Sequence, residues 1–261
     1  MYNDIVTIGS FTIHGYGLMI GIGFAVAVML ALFRAKKVNL NEDHVYNLSF
    51  VAIIFGFISA KLLYAIVDFK AVLQNPSLLV SGSGFVVYGG IIGGILAVMI
   101  YCRIKKIYFW EYFDLMIPSV AIAQGFGRIG CFLAGCCYGR ETECAIGIAF
   151  THSEYAPNGV KLLPTQLFSS AGMFLITAVL LIYAKKTKKS GTVGALYLIL
   201  YSIGRFIIEI FRNDYRGNIG GVLSTSQFIA CFTLVLGVAL FCYRQKDGRQ
   251  QEKGKNETYE N

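Results

Sequence analysis

The chain has 261 residues, of which 56% are hydrophobic, and a mean hydropathy of +0.60. Soluble domains hold about 45–50% apolar residues, and here the apolar residues fall in long runs, so a water-soluble globular fold is excluded. The net charge of +8 sits mostly in short loops between those runs and forms no compact basic domain, so no nucleic-acid partner is expected.

Seven apolar spans are predicted, at 13–33, 46–67, 84–103, 111–133, 166–184, 192–212 and 225–243. Each is close to the ~20 residues a bilayer requires. The expected fold is therefore an all-α polytopic membrane protein of about seven transmembrane helices. The first span is too long, and lacks the positive leading region, for a cleaved signal peptide. The second span carries polar residues, and the fourth carries Asp114, Gln124 and Arg128. Those two are expected to be irregular or to line a cavity. Gly89, Gly90, Gly93 and Gly94 give the third span a small-residue face for close helix packing, which can also bring Tyr88 toward the fourth span.

Loop charges set the orientation. Residues 1–12 hold no lysine or arginine, whereas the first, third and fifth loops hold Arg34, Lys36 and Lys37; Arg103, Lys105 and Lys106; and Lys185, Lys186, Lys188 and Lys189. The positive-inside rule then puts the N-terminus outside and the C-terminus in the cytoplasm. Residues 1–243 read as one membrane domain, and 244–261 as a basic, polar, disordered cytoplasmic tail.

In this orientation the unusual polar residues share one outer slab. Tyr16, Lys61, Tyr88 and Arg128 lie toward the outer ends of the first four spans, and Gln166 and Gln227 open the fifth and seventh. In the sixth, Tyr201, Arg205, Glu209 and Arg212 are spaced i, i+4, i+8 and i+11, which places them on one helix face. At ~1.5 Å per residue, Arg205 is expected roughly 10 Å below Arg212. Two readings stand. Arg205 and Glu209 can be a structural ion pair. Alternatively Arg128 and Arg205, on separate spans at similar depth, can clamp a phosphate, since arginine suits bidentate anion recognition. Phospholipid headgroups are the abundant anions at that depth.

The stretch from Gly125 to Arg140 holds five glycines, three cysteines and two arginines. It reads as a helix end that breaks into a shaped loop. Cys131, Cys136, Cys137 and Cys144 cluster here. Their spacing is neither the C-x-x-C of redox proteins nor a standard zinc pattern. A disulfide involving Cys144, plain packing, redox chemistry and metal binding all remain open. His14 reads as an interfacial residue or a site residue, and Tyr16 as aromatic belt or cavity lining.

The stretch Gly127-Arg128-Ile129-Gly130-Cys131-Phe132, with Gly139 further on, resembles the signature of prolipoprotein diacylglyceryl transferases. Further segments match in order: His14-Gly15-Tyr16-Gly17, Tyr88-Gly89-Gly90, Pro164-Thr165-Gln166-Leu167, Tyr201 through Arg212, and Ser226-Gln227. The resemblance implies a seven-span enzyme of the bacterial cell membrane with its active site on the extracytoplasmic side. It implies transfer of the diacylglyceryl group of phosphatidylglycerol to the lipobox cysteine thiol of a preprolipoprotein, without metal or cofactor. Arg128, Arg205, Tyr88 and Glu209 are then the expected catalytic residues. Tyr16, Tyr201, His14, Gly139, Arg128 and Arg212 are the expected substrate-binding residues. A monomer is expected. The chain departs from the family pattern at Tyr88, where the family has histidine, and at Cys131, Ala134 and Cys136, where it has two asparagines and a glutamate. Alternatives are a family member with another acceptor, or a membrane thiol–disulfide oxidoreductase using the cysteine cluster.

Overall fold

The computed structural model describes residues 4–8, 11–79, 84–213, 218–219 and 223–259. An antiparallel hairpin, β1 (Asp4–Ile8) and β2 (Phe11–His14), leads into α1 (Gly15–Lys37). Then come α2 (Glu42–Val67), the short α3 (Phe69–Gln74), a 3-10 turn (Pro76–Leu79), α4 (Val87–Lys105) and α5 (Phe109–Ala134). A two-stranded sheet, β3 (Ile148–Ala149) and β4 (Lys161–Leu162), precedes α6 (Thr165–Lys186) and α7 (Thr192–Ile210). A last hairpin, β5 (Asn218–Ile219) and β6 (Leu223–Ser224), leads into α8 (Thr225–Tyr259).

Seven of these helices are long and apolar enough to span a bilayer: α1, α2, α4, α5, α6, α7 and α8 through Asp247. They fall on the seven spans read from hydropathy. The chain is thus an all-α polytopic membrane protein. Its apolar side chains stand outward to a degree no soluble surface tolerates, with Ile66 71% and Val235 69% exposed, because lipid rather than water is their solvent. Neither the second nor the fourth span is interrupted; α2 and α5 are continuous, α5 even through Pro118.

The chain packs as two compact units. One comprises residues 32–112. Within it the glycine face of α4 meets α2: a Cβ on Gly89 would stand 2.6 Å from the Ser59 carbonyl oxygen, and one on Gly90 3.1 Å from that of Gly56. The glycine face thus serves α2–α4 contact. Lys61 of α2 lies over the Phe85 ring at 4.4 Å.

The other unit comprises residues 1–31 and 113–261. Its core joins α5, α6 and α7 through Ile117, Ala121, Met173, Leu180, Val193 and Tyr197. Hydroxyls stitch the helices where apolar contact alone gives little preference in lipid. Ser170 Oγ donates to the Gly125 carbonyl at 2.9 Å, and Ser202 and Thr233 hydroxyls share a hydrogen bond of 2.7 Å. Asp114, expected to line a cavity, instead caps α7: its carboxylate accepts from Gly191 N at 2.6 Å and Gly194 N at 2.8 Å, a carboxylate at a helix's positive end. Gln124 is likewise structural and accepts from the Tyr197 hydroxyl at 2.9 Å.

The backbone of α8 continues beyond the boundary at 243 read from hydropathy. Arg244 Nε donates to the Ser190 carbonyl at 2.8 Å, and Lys189 Nζ to Gln245 at 3.1 Å. Polar residues just past the apolar run are thus tied to the α6–α7 loop, a contact hydropathy cannot register.

Candidate active site

The helical spacing in α7 places Tyr201, Arg205 and Glu209 on one face. Arg205 Nη2 lies 2.8 Å from Glu209 Oε2, with the two side chains only 12% and 6% exposed. The same Nη2 donates to Ser226 Oγ at 2.8 Å. Ser224 Oγ donates to the other Glu209 oxygen at 3.0 Å. Ser224 also begins α8 with a reciprocal cap: Gln227 N donates to Ser224 Oγ, and Ser224 N to Gln227 Oε1, both at 3.1 Å. This is the capping box that Ser-x-x-Gln encodes. The start of α8 therefore fixes Glu209, and Glu209 with Ser226 fixes the Arg205 guanidinium. Ser224 and Ser226 were not among the expected site residues; the Ser-x-x-Gln spacing was the available signal.

Arg128, on α5, lines the same cleft as Tyr201 and Arg205. The opposite wall is α6, with Phe168, Met173 and Gly172. A Cβ on Gly172 or Gly204 would meet nothing within 4 Å, so both glycines border open space. Tyr201 stacks on Tyr197 with ring centroids 5.7 Å apart. Among the described residues Arg128 has no ion-pair or hydrogen-bond partner, while Glu209 compensates Arg205. The cleft thus carries one uncompensated positive charge between apolar walls, which suits an anion with an apolar body.

Beyond Arg128, α5 ends at Ala134 and the chain reverses through Gly135 at φ +75°. Gly139 is buried and bridges Arg212, Gly139 N donates to the Leu163 carbonyl at 2.9 Å, and Arg140 N to that of Phe211 at 2.9 Å. A Cβ at Gly139 would stand 2.8 Å from the Leu163 carbonyl oxygen, so this close strand contact requires glycine. Arg212 corrects the sequence expectation. Helix α7 stops at Ile210, so Arg212 leaves the i, i+11 face and is buried in this bridge. It bonds to the Cys137 thiol.

The sulfurs of Cys131, Cys136 and Cys137 lie within 4.8 Å of one another. Hydrogen bonds with the Cys131 and Cys136 thiols, joined by the Arg212 guanidinium, hold the Cys137 thiol far below its ordinary range, and the same network pushes Cys136 up. Cys144 is exposed and outside the cluster, and among the described residues no two cysteines are joined in a disulfide. Tyr16, in the first turn of α1, packs on α5: a Cβ on Gly130 would lie 3.2 Å from its ring. His14 is exposed on β2, paired in register with Asp4. Tyr88, 49% exposed, belongs to the first turn of α4 in the other unit.

Fold and cleft together define a multi-pass membrane protein equipped to hold an anionic amphiphile. The chain belongs to the prolipoprotein diacylglyceryl transferase family, whose model matches residues 3–243. It is 51% identical over 230 residues to the phosphatidylglycerol–prolipoprotein diacylglyceryl transferase of Clostridium tetani (strain Massachusetts / E88), covering 88% of this chain and 92% of that one. A second relative, phosphatidylglycerol–prolipoprotein diacylglyceryl transferase 2 of Clostridium perfringens (strain 13 / Type A), is 47% identical over 242 residues, 92% of this chain and 94% of its own. The enzyme of Clostridioides difficile (strain 630) with the first name is 35% identical over 247 residues, 92% and 96% of the two chains.

Proposed function

We propose that the chain transfers the diacylglyceryl group of phosphatidylglycerol to the lipobox cysteine thiol of preprolipoproteins. The observation that carries this reading is the convergence of Arg128 and Arg205 on one apolar-walled cleft, with a carboxylate for only one of them. The names of the relatives supply the substrates. Arg128 and Arg205 hold the donor phosphate and stabilise the charge that develops on departing glycerol phosphate, the electrostatic contribution expected to be largest. Glu209, fixed by Ser224, positions Arg205. Tyr16 and Tyr201 border the glyceryl region, and Arg212 and Gly139 shape the loop beside it. His14 and Tyr88 keep their proposed roles, substrate contact and proton handling, on the family resemblance alone.

The loop charges support an N-terminus outside the bacterial cell membrane, a cytoplasmic C-terminus with the basic 244–261 segment, and a cleft that meets the outer leaflet. The chain acts as a monomer in this reading. The purified protein, given phosphatidylglycerol and a lipobox peptide, is expected to add one diacylglyceryl mass to the peptide and release glycerol phosphate. A folded protein that leaves the peptide unmodified rejects the assignment. In intact cells an impermeant maleimide is expected to reach Cys144 and not Cys242; the reverse pattern overturns the orientation.

A further inference from the structure

The end of α5 is a Schellman turn. Gly135 N donates to the Phe132 carbonyl and Cys136 N to the Cys131 carbonyl, both at 3.1 Å, with Gly135 at φ +75°. This motif sets the second side chain past the helix against one in its last turn, and here the two are Cys136 and Cys131. Cys137 follows at φ +65°. A left-handed cysteine is uncommon and persists only where its surroundings hold it. Gln166 Nε2 donates to the Cys136 carbonyl at 2.8 Å and Thr165 Oγ1 to that of Cys137 at 2.9 Å. Both side chains are buried at the start of α6. The three sulfurs thus come within 4.8 Å of one another, and the three residues are half-buried.

The three thiols are not equivalent. The Cys136 thiol donates to the Cys131 carbonyl at 3.6 Å. The Cys137 sulfur is bonded to both neighbouring thiols and to the Arg212 guanidinium, which favour its thiolate, the form that reacts with peroxides. Cys136 and Cys137 suit each other poorly, since adjacent Cα atoms stand about 3.8 Å apart and a disulfide usually needs about 4.4–6.8 Å. Cys131, on the helix, is the better partner. We infer that Cys131, Cys136 and Cys137 form a reversible oxidation site for hydroperoxides, at which a Cys131–Cys137 disulfide closes and switches lipid transfer off. The thiols regulate the transferase and pass no electrons to a further substrate.

The Cys137 thiolate attacks one peroxide oxygen. A sulfur–oxygen bond forms, the oxygen–oxygen bond breaks, and the leaving oxygen takes a proton and departs as water or an alcohol. The Cys131 thiol then attacks the Cys137 sulfenic acid. The sulfur–sulfur bond forms, and the sulfenic hydroxyl leaves with the thiol proton as water. Two thiols are oxidised and one peroxide is reduced. The effect on transfer rests on the transferase reading above. Tyr16 lies within electrostatic reach of Arg128 and of all three sulfurs, so the cluster borders the donor cleft. Closing the bond draws the Cys137 turn toward α5 and away from Arg212, which carries the Gly139 bridge. A misplacement of about 1 Å can cost about 10²-fold in rate, and a loss of that order is expected.

The test uses the full chain in detergent, reduced, freed of reductant and treated with hydrogen peroxide. Remaining thiols are capped with maleimide, and the chain is cleaved after Phe132 without reductant for mass spectrometry. The fragments carrying Cys131 and Cys137 are expected to stay joined, with maleimide on Cys136. Lipid transfer is expected to fall about 10²-fold and to return with dithiothreitol. Three maleimides on the cluster after peroxide, or a bond only between Cys136 and Cys137, overturns the site. The ratio of oxidised to reduced activity is expected to rise to about one in Cys131→Ser and Cys137→Ser and to stay low in Cys144→Ser. Equal inhibition of the unaltered chain and both cluster variants overturns the switch. Should a serine variant fail to fold, the unaltered chain decides: transfer that continues at the reduced rate once the bond has closed overturns the switch. A closed bond with no transfer in either redox state rejects the transferase reading and leaves the oxidation site standing.

Discussion

Replacing Arg205 by lysine separates a phosphate clamp from a structural ion pair. The guanidinium sits 2.8 Å from both Glu209 Oε2 and Ser226 Oγ and still faces the cleft it shares with Arg128. Lysine keeps the charge but cannot hold those two partners and a phosphate in one plane. Losing one preorganised donor to a developing oxyanion costs about 2.7–4 kcal/mol, or 10²–10³ in kcat, and Arg128→Lys is expected to fall in the same range. Glu209→Gln keeps an oxygen for Ser224 and removes only the charge. A hydrogen bond to a charged group is worth about 1.5–3 kcal/mol, so the expected loss is at most about 10- to 150-fold and smaller than that of Arg205→Lys. The assay is glycerol phosphate release per folded molecule, with the thermal midpoint measured in parallel. A purely structural pair gives the opposite pattern. Breaking it would remove about 3–5 kcal/mol of stability and leave specific activity intact. Unchanged specific activity in both lysine variants would refute the clamp.

Three further outcomes follow from particular contacts. Asp114→Asn weakens the cap on α7 and is expected to lower stability by about 1–2 kcal/mol with specific activity retained; an unchanged thermal midpoint counts against the cap. Gly139→Ala forces a methyl against the Leu163 carbonyl and the Thr165 side chain, an overpacking of about 1–3 kcal/mol, seen as lower folded yield on size exclusion. Hydrogen bonds with the Cys131 and Cys136 thiols, joined by the Arg212 guanidinium, hold the Cys137 thiol below the ordinary cysteine range. Its alkylation is therefore expected to slow less steeply from pH 8 to 6 than the roughly tenfold per unit of an unperturbed thiol; a full tenfold fall per unit would show that Arg212 and the neighbouring thiols do not act on it.

The seven helices were legible because lipid imposes one strong pattern, and α7 kept its face through Glu209 because helical spacing fixes direction. What followed α7 was not legible. Arg212 looked like one more step along the face, but the helix ends at Ile210 and Arg212 pairs with Gly139 across 73 residues of sequence. Long-range backbone pairing leaves no periodic trace. Asp114 and Gln124 were visible as polar residues in a membrane span, yet their partners, α7 amides and Tyr197, lie about 70–80 positions away in the chain, as the separations of those bonds show. The hairpins and the α8 capping box are short-range, and the Ser224–Gln227 spacing carried a signal for the latter that the span reading did not use. The cysteines were visible as a group, but the left-handed turns that aim their sulfurs together were not.

The partner assignments narrow what the cleft is for. Helix α5 is the least hydrophobic span and also the most buried, so its polar groups need protein partners. Asp114 has the α7 amides, Gln124 has Tyr197, and on α7 Arg205 has Glu209. Among the described residues Arg128 alone in this series has neither a counter-ion nor a hydrogen bond. A charge held at membrane depth costs about 2.5–3.5 kcal/mol on insertion scales and more by simulation, and among the described residues no carboxylate pairs with it. A soluble anion could repay that cost only in a polar cavity. This cleft is walled by Phe168, Met173 and Ile176, which favour a ligand that brings its own apolar body. An anionic phospholipid meets both conditions at once.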